Sequence, residues 1–237
     1  MDPNRDPLIL CLETSTDICS VALASGASTL DSIVTDQARM QTSRLAPMAE
    51  EILKRNGLCV KDCAAVAVSS GPGSYTGLRV GVSMAKGLCF GAGIPLIGVG
   101  TLDLLAAQGI CQQGESAPSP MFVVPMIDAR RMEVYQAVYD GSGTRCGEIA
   151  PLIIDGESYA GLLQKGSVLF CGNGCEKAAG ILGGGNAFFA PCNPLAEFMA
   201  PLAYRKFLAG EFEDVAYMEP FYLKEFEIGK SKKKILG

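Results

Sequence analysis

The apolar runs of this 237-residue chain follow one order twice, and that repeat restricts the fold more than any other feature. Leu8–Leu12 is a short apolar run ending at Glu13-Thr14-Ser15-Thr16, which predicts a buried strand and a polar turn. Ser20–Ala24 and Thr29–Val34 complete a three-stranded meander. Ser43 is placed as a helix N-cap, with Leu45, Met48, Ala49, Ile52 and Leu53 on one face and Asn56-Gly57 as the stop. Strand Ala64–Ser70, helix Tyr75–Phe90, strand Pro95–Val99 and helix Thr101–Cys111 follow. After the polar stretch Gln112–Pro120 the pattern restarts. Phe122–Asp128, Val134–Tyr139 and Cys146–Ile149 are read as strands, the latter two joined by Asp140-Gly141-Ser142-Gly143. Helix Tyr159–Leu163, strand Val168–Cys171, helix Cys175–Leu182, strand Ala187–Ala190 and helix Leu195–Leu208 close the second half.

Both halves therefore read β-β-β-α-β-α-β-α. That duplication predicts an α/β chain of two ribonuclease-H-like lobes, the actin-like ATPase (ASKHA) architecture, with mixed sheets flanked by helices. The lobes are expected over residues 1–111 and 112–237, with the last helix able to pack back on the first lobe. Residues 1–7 read as a loose leader. No apolar stretch reaches the about 18–20 residues of a membrane span without glycines or charges.

The chain has no histidine. That excludes Ser-His-Asp and Cys-His nucleophile activation, HExxH metal sites and any imidazole base. Twenty Lys and Arg against 25 Asp and Glu give a formal net charge of −5, which disfavours gripping nucleic acid unaided. Ten cysteines lie largely in apolar runs, as in LILCLE and VLFCGNG, and are expected to be buried and reduced. Cys59/Cys63 and Cys171/Cys175 are C-x3-C pairs, not the C-x2-C spacing usual for zinc.

Several motifs carry two readings. Glu13-Thr14-Ser15-Thr16 stands where actin-like ATPases wrap phosphate, although such a turn is often only a local Asx or ST turn. Its counterpart is Asp128-Ala129-Arg130-Arg131, where two large side chains replace the glycines a phosphate would need. Arg130 and Arg131 are either a cationic hook for a carboxylate, phosphate or partner acid, or surface ion pairs with Glu133 or a neighbour. Gly71-Pro72-Gly73-Ser74 is not a Walker A loop, since no Gly-Lys-Ser/Thr closes it. In the helix that follows, Gly77, Gly81 and Ala85 recur every fourth residue, as do Ser83, Gly87 and Gly91. Such ridges permit close backbone approach, to the chain's own sheet or to another subunit. Lys230-Ser231-Lys232-Lys233-Lys234 is a solvated terminus or, within an assembled complex, a weak contact with nucleic-acid phosphate.

Three blocks in register, ILCLETSTDICSVAL (Ile9–Leu23), SSGPGSYTGLRVGVSMAKGLCFGAGIPLIGVGTLDLLA (Ser69–Ala106) and DARRMEVYQAVY (Asp128–Tyr139), resemble the TsaB (YeaZ) family. The likeness weakens after about residue 172, although MEPFYLKE is similar to that family's closing strand. The resemblance implies a cytoplasmic, non-catalytic subunit for making threonylcarbamoyladenosine in tRNA. It implies a heterodimer with a TsaD-type paralogue, a TsaE-type ATPase as a further partner, a homodimer when alone, tRNA contact only through the complex, and no membrane. Registering the paralogue's V-N-H-x-x-x-H on this chain places Thr101 and Leu105 at the two metal-binding histidines. Neither replaces an imidazole, and Thr101 also reads simply as a helix N-cap. No cofactor or metal is expected, and Glu13, Thr14, Ser15 and Asp128 are read as vestigial phosphate turns. The partner face is expected at Leu45, Met48, Ala49, Ile52, Gly77, Leu78, Gly81, Val82 and Ala85. A nucleotide-binding small-molecule kinase and a glycopeptidase of the same fold are the rival readings.

Overall fold

The computed structural model describes residues 6–35, 37, 40–113 and 119–224. The first five residues of the leader, part of the polar stretch after the third helix and the Lys-rich end lie outside them.

The first sheet is built from β1 (Leu8–Glu13), β2 (Ser20–Ser25), β3 (Ser28–Val34), β4 (Ala65–Gly71) and β5 (Leu96–Gly100). Its order is β3-β2-β1-β4-β5. The β1–β2 and β2–β3 pairs are antiparallel, and β1–β4 and β4–β5 are parallel. The second sheet contains β6 (Phe122–Asp128), β7 (Glu133–Gln136), β8 (Tyr139–Asp140), β9 (Ala150–Ile153), β10 (Val168–Cys171) and β11 (Ala187–Ala190). Its order, β11-β10-β6-β7-β9, repeats the first sheet strand for strand, with β8 paired to β6. The central strands of both sheets are apolar runs buried on both faces, as expected where parallel strands are covered on each side.

Helices cover these faces. α1 (Gln41–Arg55) and α2 (Tyr75–Ala92) close one face of the first sheet around Leu10, Val21, Val66 and Val68. α6 (Ala200–Ala209) and the 3-10 turn Ala196–Met199 close the other through Ala196, Met199, Ala200 and Ala203. α3 (Thr101–Gln112) serves both lobes: Leu104 joins the first sheet's core, while Leu102, Leu105 and Ala106 join the second's. α4 (Ala160–Lys165) and α5 (Cys175–Leu182) complete the second lobe, with Leu162 and Cys175 in its other core.

Local chemistry moved several boundaries. α1 begins after Met40 rather than at Ser43, whose hydroxyl donates back to the Met40 carbonyl at 3.3 Å. α3 is capped by Gly100, so Thr101 is its first helical residue and not its cap. The third strand of the second lobe is Ala150–Ile153 rather than Cys146–Ile149. The Asp140 carboxylate accepts from the backbone N–H of Ser142 and of Thr144, both at 2.9 Å, and Tyr139 bridges Arg145. These contacts fold residues 139–146 into their own small hairpin, which cuts the expected strand Val134–Tyr139 at Gln136. Residues 218–224 form no closing strand. Pro220 has no N–H for a ladder, and the segment crosses strand ends instead. The Glu213 N–H donates to the Leu96 carbonyl at 2.8 Å, and that of Phe221 to the Ser70 carbonyl at 2.7 Å.

Candidate functional site

The parallel strands β1, β4 and β5 end on the same edge, so Glu13, Gly71 and Gly100 share it. The turn after β1 is wholly inside the molecule: Glu13, Thr14 and Ser15 have no exposed surface. One Glu13 oxygen accepts from the Ser15 N–H at 2.6 Å and from the Ser15 hydroxyl at 2.5 Å, and the other from the Ser69 hydroxyl. Burial pushes the Glu13 carboxyl up to about 7, against the opposing pull of these hydrogen bonds. The Thr14 hydroxyl donates to the Gly77 carbonyl at 2.8 Å, and the Ser15 carbonyl accepts the Ser74 N–H at 2.7 Å. Ser74 caps α2 through the Gly77 N–H at 3.3 Å.

The small residues of α2 explain this closeness. A Cβ at Gly73 would overlap the Ser15 carbonyl, one at Gly77 the Thr14 carbonyl, and one at Gly81 the Thr14 hydroxyl. The ridge Gly77–Gly81–Ala85 therefore meets the chain's own first turn. The Thr14 and Ser15 hydroxyls and the Ser15 amide are spent on α2 and on Glu13, whereas the buried Thr16 hydroxyl makes no hydrogen bond to a described residue.

The second turn lies at the end of β6. Asp128 is exposed, and its carboxylate takes the Lys177 ammonium and the Arg130 N–H, both at 2.6 Å. The Asp128 N–H donates to the Asn173 side chain at 3.0 Å. Arg130 and Arg131 have φ of 74° and 50°, the left-handed region where a glycine would be at ease. Glu133 does not pair with either arginine, because Lys224 binds both of its oxygens at 2.6 Å.

Thr101 and Leu105 are fully buried. The Thr101 hydroxyl makes no hydrogen bond to a described residue, and Leu105 packs in the second lobe's core. Among the described residues no group of three or more Cys, Asp and Glu is placed to hold a metal ion. Six cysteines are buried, Cys192 is partly buried, and Cys59, Cys111 and Cys146 are exposed, which corrects the expectation of general burial.

The expected partner face needs the larger correction. Leu45, Met48, Ala49, Ile52, Gly77, Leu78, Gly81, Val82 and Ala85 are all buried in the chain's own first lobe. Their apolar stripes cover the first sheet, so none of the nine is open to a second molecule. The outward face of α2 is the other ridge, Ser83, Gly87 and Gly91, with Phe90 84% exposed at its end. A Cβ at Gly87 or Gly91 would meet nothing within 4 Å. Arg79 stands one turn before Ser83 on this same row, whereas Lys86 turns toward residues 216–218. Lys86 donates to the carbonyls of Ala216 and Met218 at 3.0 and 3.1 Å, and the Arg79 guanidinium lies 5.3 Å from the Tyr75 ring centroid. Tyr75 in turn packs at a tilt of 36° against Tyr222, ring centroids 4.9 Å apart, and a groove of ≈ 380 Å3 runs between α2 and residues 218–222. The Ser83–Gly87–Gly91 spacing is visible in the sequence, but its outward orientation is not.

The family model described as "TsaD: tRNA N6-adenosine threonylcarbamoyltransferase" matches residues 29–164, more than half of the chain. The tRNA threonylcarbamoyladenosine biosynthesis protein TsaB of Escherichia coli (strain K12) is 35% identical over 91% of this chain and 94% of its own length. The solved structure of YeaZ from Pseudomonas aeruginosa covers 92% of this chain and all of its own, with 30% identity and a TM-score of 0.79. The (R)-2-hydroxyglutaryl-CoA dehydratase component A of Acidaminococcus fermentans shares the fold alone, at 11% identity and a TM-score of 0.51 over 84% of this chain and 98% of its own. With the repeated sheet order, these likenesses establish two lobes of the actin-like type.

Proposed function

The chain belongs to the TsaB family, whose named members act in tRNA threonylcarbamoyladenosine biosynthesis, and from that premise we propose that it is a non-catalytic scaffold subunit of that system. It binds a TsaD-type transferase as a heterodimer, and a TsaE-type ATPase joins the pair. The observation that carries this reading is the sealed first turn, where Glu13, Thr14 and Ser15 spend their polar groups on Ser69, Gly77 and Ser74. In this role Glu13, Thr14, Ser15 and Asp128 are structural remnants of phosphate turns.

The partner contacts the outward side of α2. Ser83, Gly87 and Gly91 let a second helix approach closely, and Phe90 supplies apolar area at the end of the row away from Arg79. The same face forms a homodimer when the partner is absent. The chain works in the cytoplasm; ten cysteines without a disulfide suit a reducing compartment, and no described helix is long and apolar enough to cross a membrane.

Gly87→Arg tests the interface without touching the core, because the position opens to empty space. Size-exclusion chromatography with a TsaD-type protein is expected to show loss of co-elution, while circular dichroism stays that of wild type. A folded Gly87→Arg protein that still co-elutes at wild-type affinity puts the interface elsewhere.

A further inference from the structure

The turn between β6 and β7 gathers four cations and two carboxylates. Asp128 is matched by Lys177 and Glu133 by Lys224. The guanidinium groups of Arg130 and Arg131 then remain, exposed, with no hydrogen bond or ion pair to a described residue. A net positive turn thus stands on a chain whose formal charge is −5.

The backbone there is held by local bonds. The Arg130 N–H donates to the Asp128 carboxylate at 2.6 Å, the Glu133 N–H to the Arg130 carbonyl at 3.1 Å, and the Ala129 N–H to the Glu133 carbonyl at 3.1 Å. Two successive arginines occupy left-handed backbone in which glycine is the unstrained choice. The side chains, not the turn, account for arginine at these positions.

We propose that Arg130 and Arg131 contact the phosphate backbone of tRNA when the chain is assembled with its transferase-type partner. This rests on the tRNA-modification reading above. The pair projects from an exposed hairpin rather than into an enclosed pocket. An extended polyanion can engage both guanidiniums at once, each with planar, two-pronged bonds to phosphate oxygens. Two such contacts are too few to bind tRNA on a net acidic chain alone, so the partner must supply the rest of the surface. Contacts of this kind position the tRNA and read no sequence.

The test uses the full chain in complex with a TsaD-type protein and a fluorescent, unmodified tRNA transcript. Anisotropy is followed from about 50 to 300 mM KCl, a range in which phosphate contacts weaken steeply. For Arg130→Glu/Arg131→Glu we expect affinity to fall about tenfold or more, and the slope of log K against log salt to drop by about 1–2. Arg130→Lys/Arg131→Lys keeps the slope, because charge is retained. Arg130→Gly/Arg131→Gly relieves the backbone, melts no lower than wild type and still loses affinity, which separates charge from folding. Unchanged affinity and slope in the Glu variant overturn the proposal. So does loss of the protein partner instead of tRNA, which would assign the turn to an acidic protein surface. Loss of affinity on removing residues 225–237, with none in the arginine variants, would assign the contact to the Lys-rich end and also overturns it. A wild-type complex that neither binds tRNA nor modifies it refutes the function proposed above. A wild-type complex that does both while the Glu variant binds equally well refutes only the arginine contact.

Discussion

Glu13 is a carboxyl with no exposed surface, held by Ser15 and Ser69, and burial raises it to about 7. An unfolded glutamate titrates near 4.3. Between these values the unfolded chain has lost the proton and the folded chain keeps it, so stability falls as pH rises from about 4.5 to 7 and then levels. The span corresponds to about 3 kcal/mol. Glu13→Gln mimics the protonated carboxyl and cannot ionise. Urea denaturation across this range is expected to show a shallower decline in the variant, with the two curves separating most above pH 7. Parallel curves would mean that Glu13 is not the group titrating. Nothing in LCLETST marks the acid as buried. Glutamate usually faces water, and its burial depends on Ser69, 56 residues away.

Two helices show what an element's pattern can and cannot reveal. The stripes Leu45/Met48/Ala49/Ile52 and Gly77/Gly81/Ala85 were legible as contact faces, and both are contact faces. Periodicity does not say what a face meets, and here it meets the chain's own sheet and first turn. Met48→Glu therefore buries an unpaired charge at a site only 1% exposed. It is expected to destabilise the fold by several kcal/mol, seen as loss of the circular dichroism signal or of soluble protein. A folded Met48→Glu protein with wild-type melting would contradict that placement. The ridges of α2 should also answer oppositely to one added methyl. Gly81→Ala overlaps the Thr14 hydroxyl and should cost about 1–3 kcal/mol, whereas Gly87→Ala should stabilise by up to about 1 kcal/mol. Equal effects in thermal melts would mean that the ridges do not divide between core and solvent. The element order was legible because parallel central strands are continuous apolar runs. The hairpin at residues 139–146 was not, because it depends on where the Asp140 carboxylate turns.

At the scale of the whole molecule, α3 enters the cores of both lobes, and the chain leaving the second sheet returns to pack on the first. α3 places Leu104 in one core and Leu105 in the other, and the Tyr139 hydroxyl donates to Asp103 at 2.7 Å. α6 packs on the first sheet, where Lys206 donates to the Gly98 carbonyl at 2.8 Å. Residues 213–222 then cross to α2. The result is an actin-like frame with the turn after β1 packed against α2 and one ridge of α2 turned outward. The decisive measurement is nucleoside mass spectrometry of unmodified tRNA incubated with threonylcarbamoyl-adenylate and this chain, a TsaD-type protein, or both. Threonylcarbamoyladenosine is expected only where the TsaD-type protein is present, and most with both. Modified nucleoside from this chain as the sole protein would contradict this expectation.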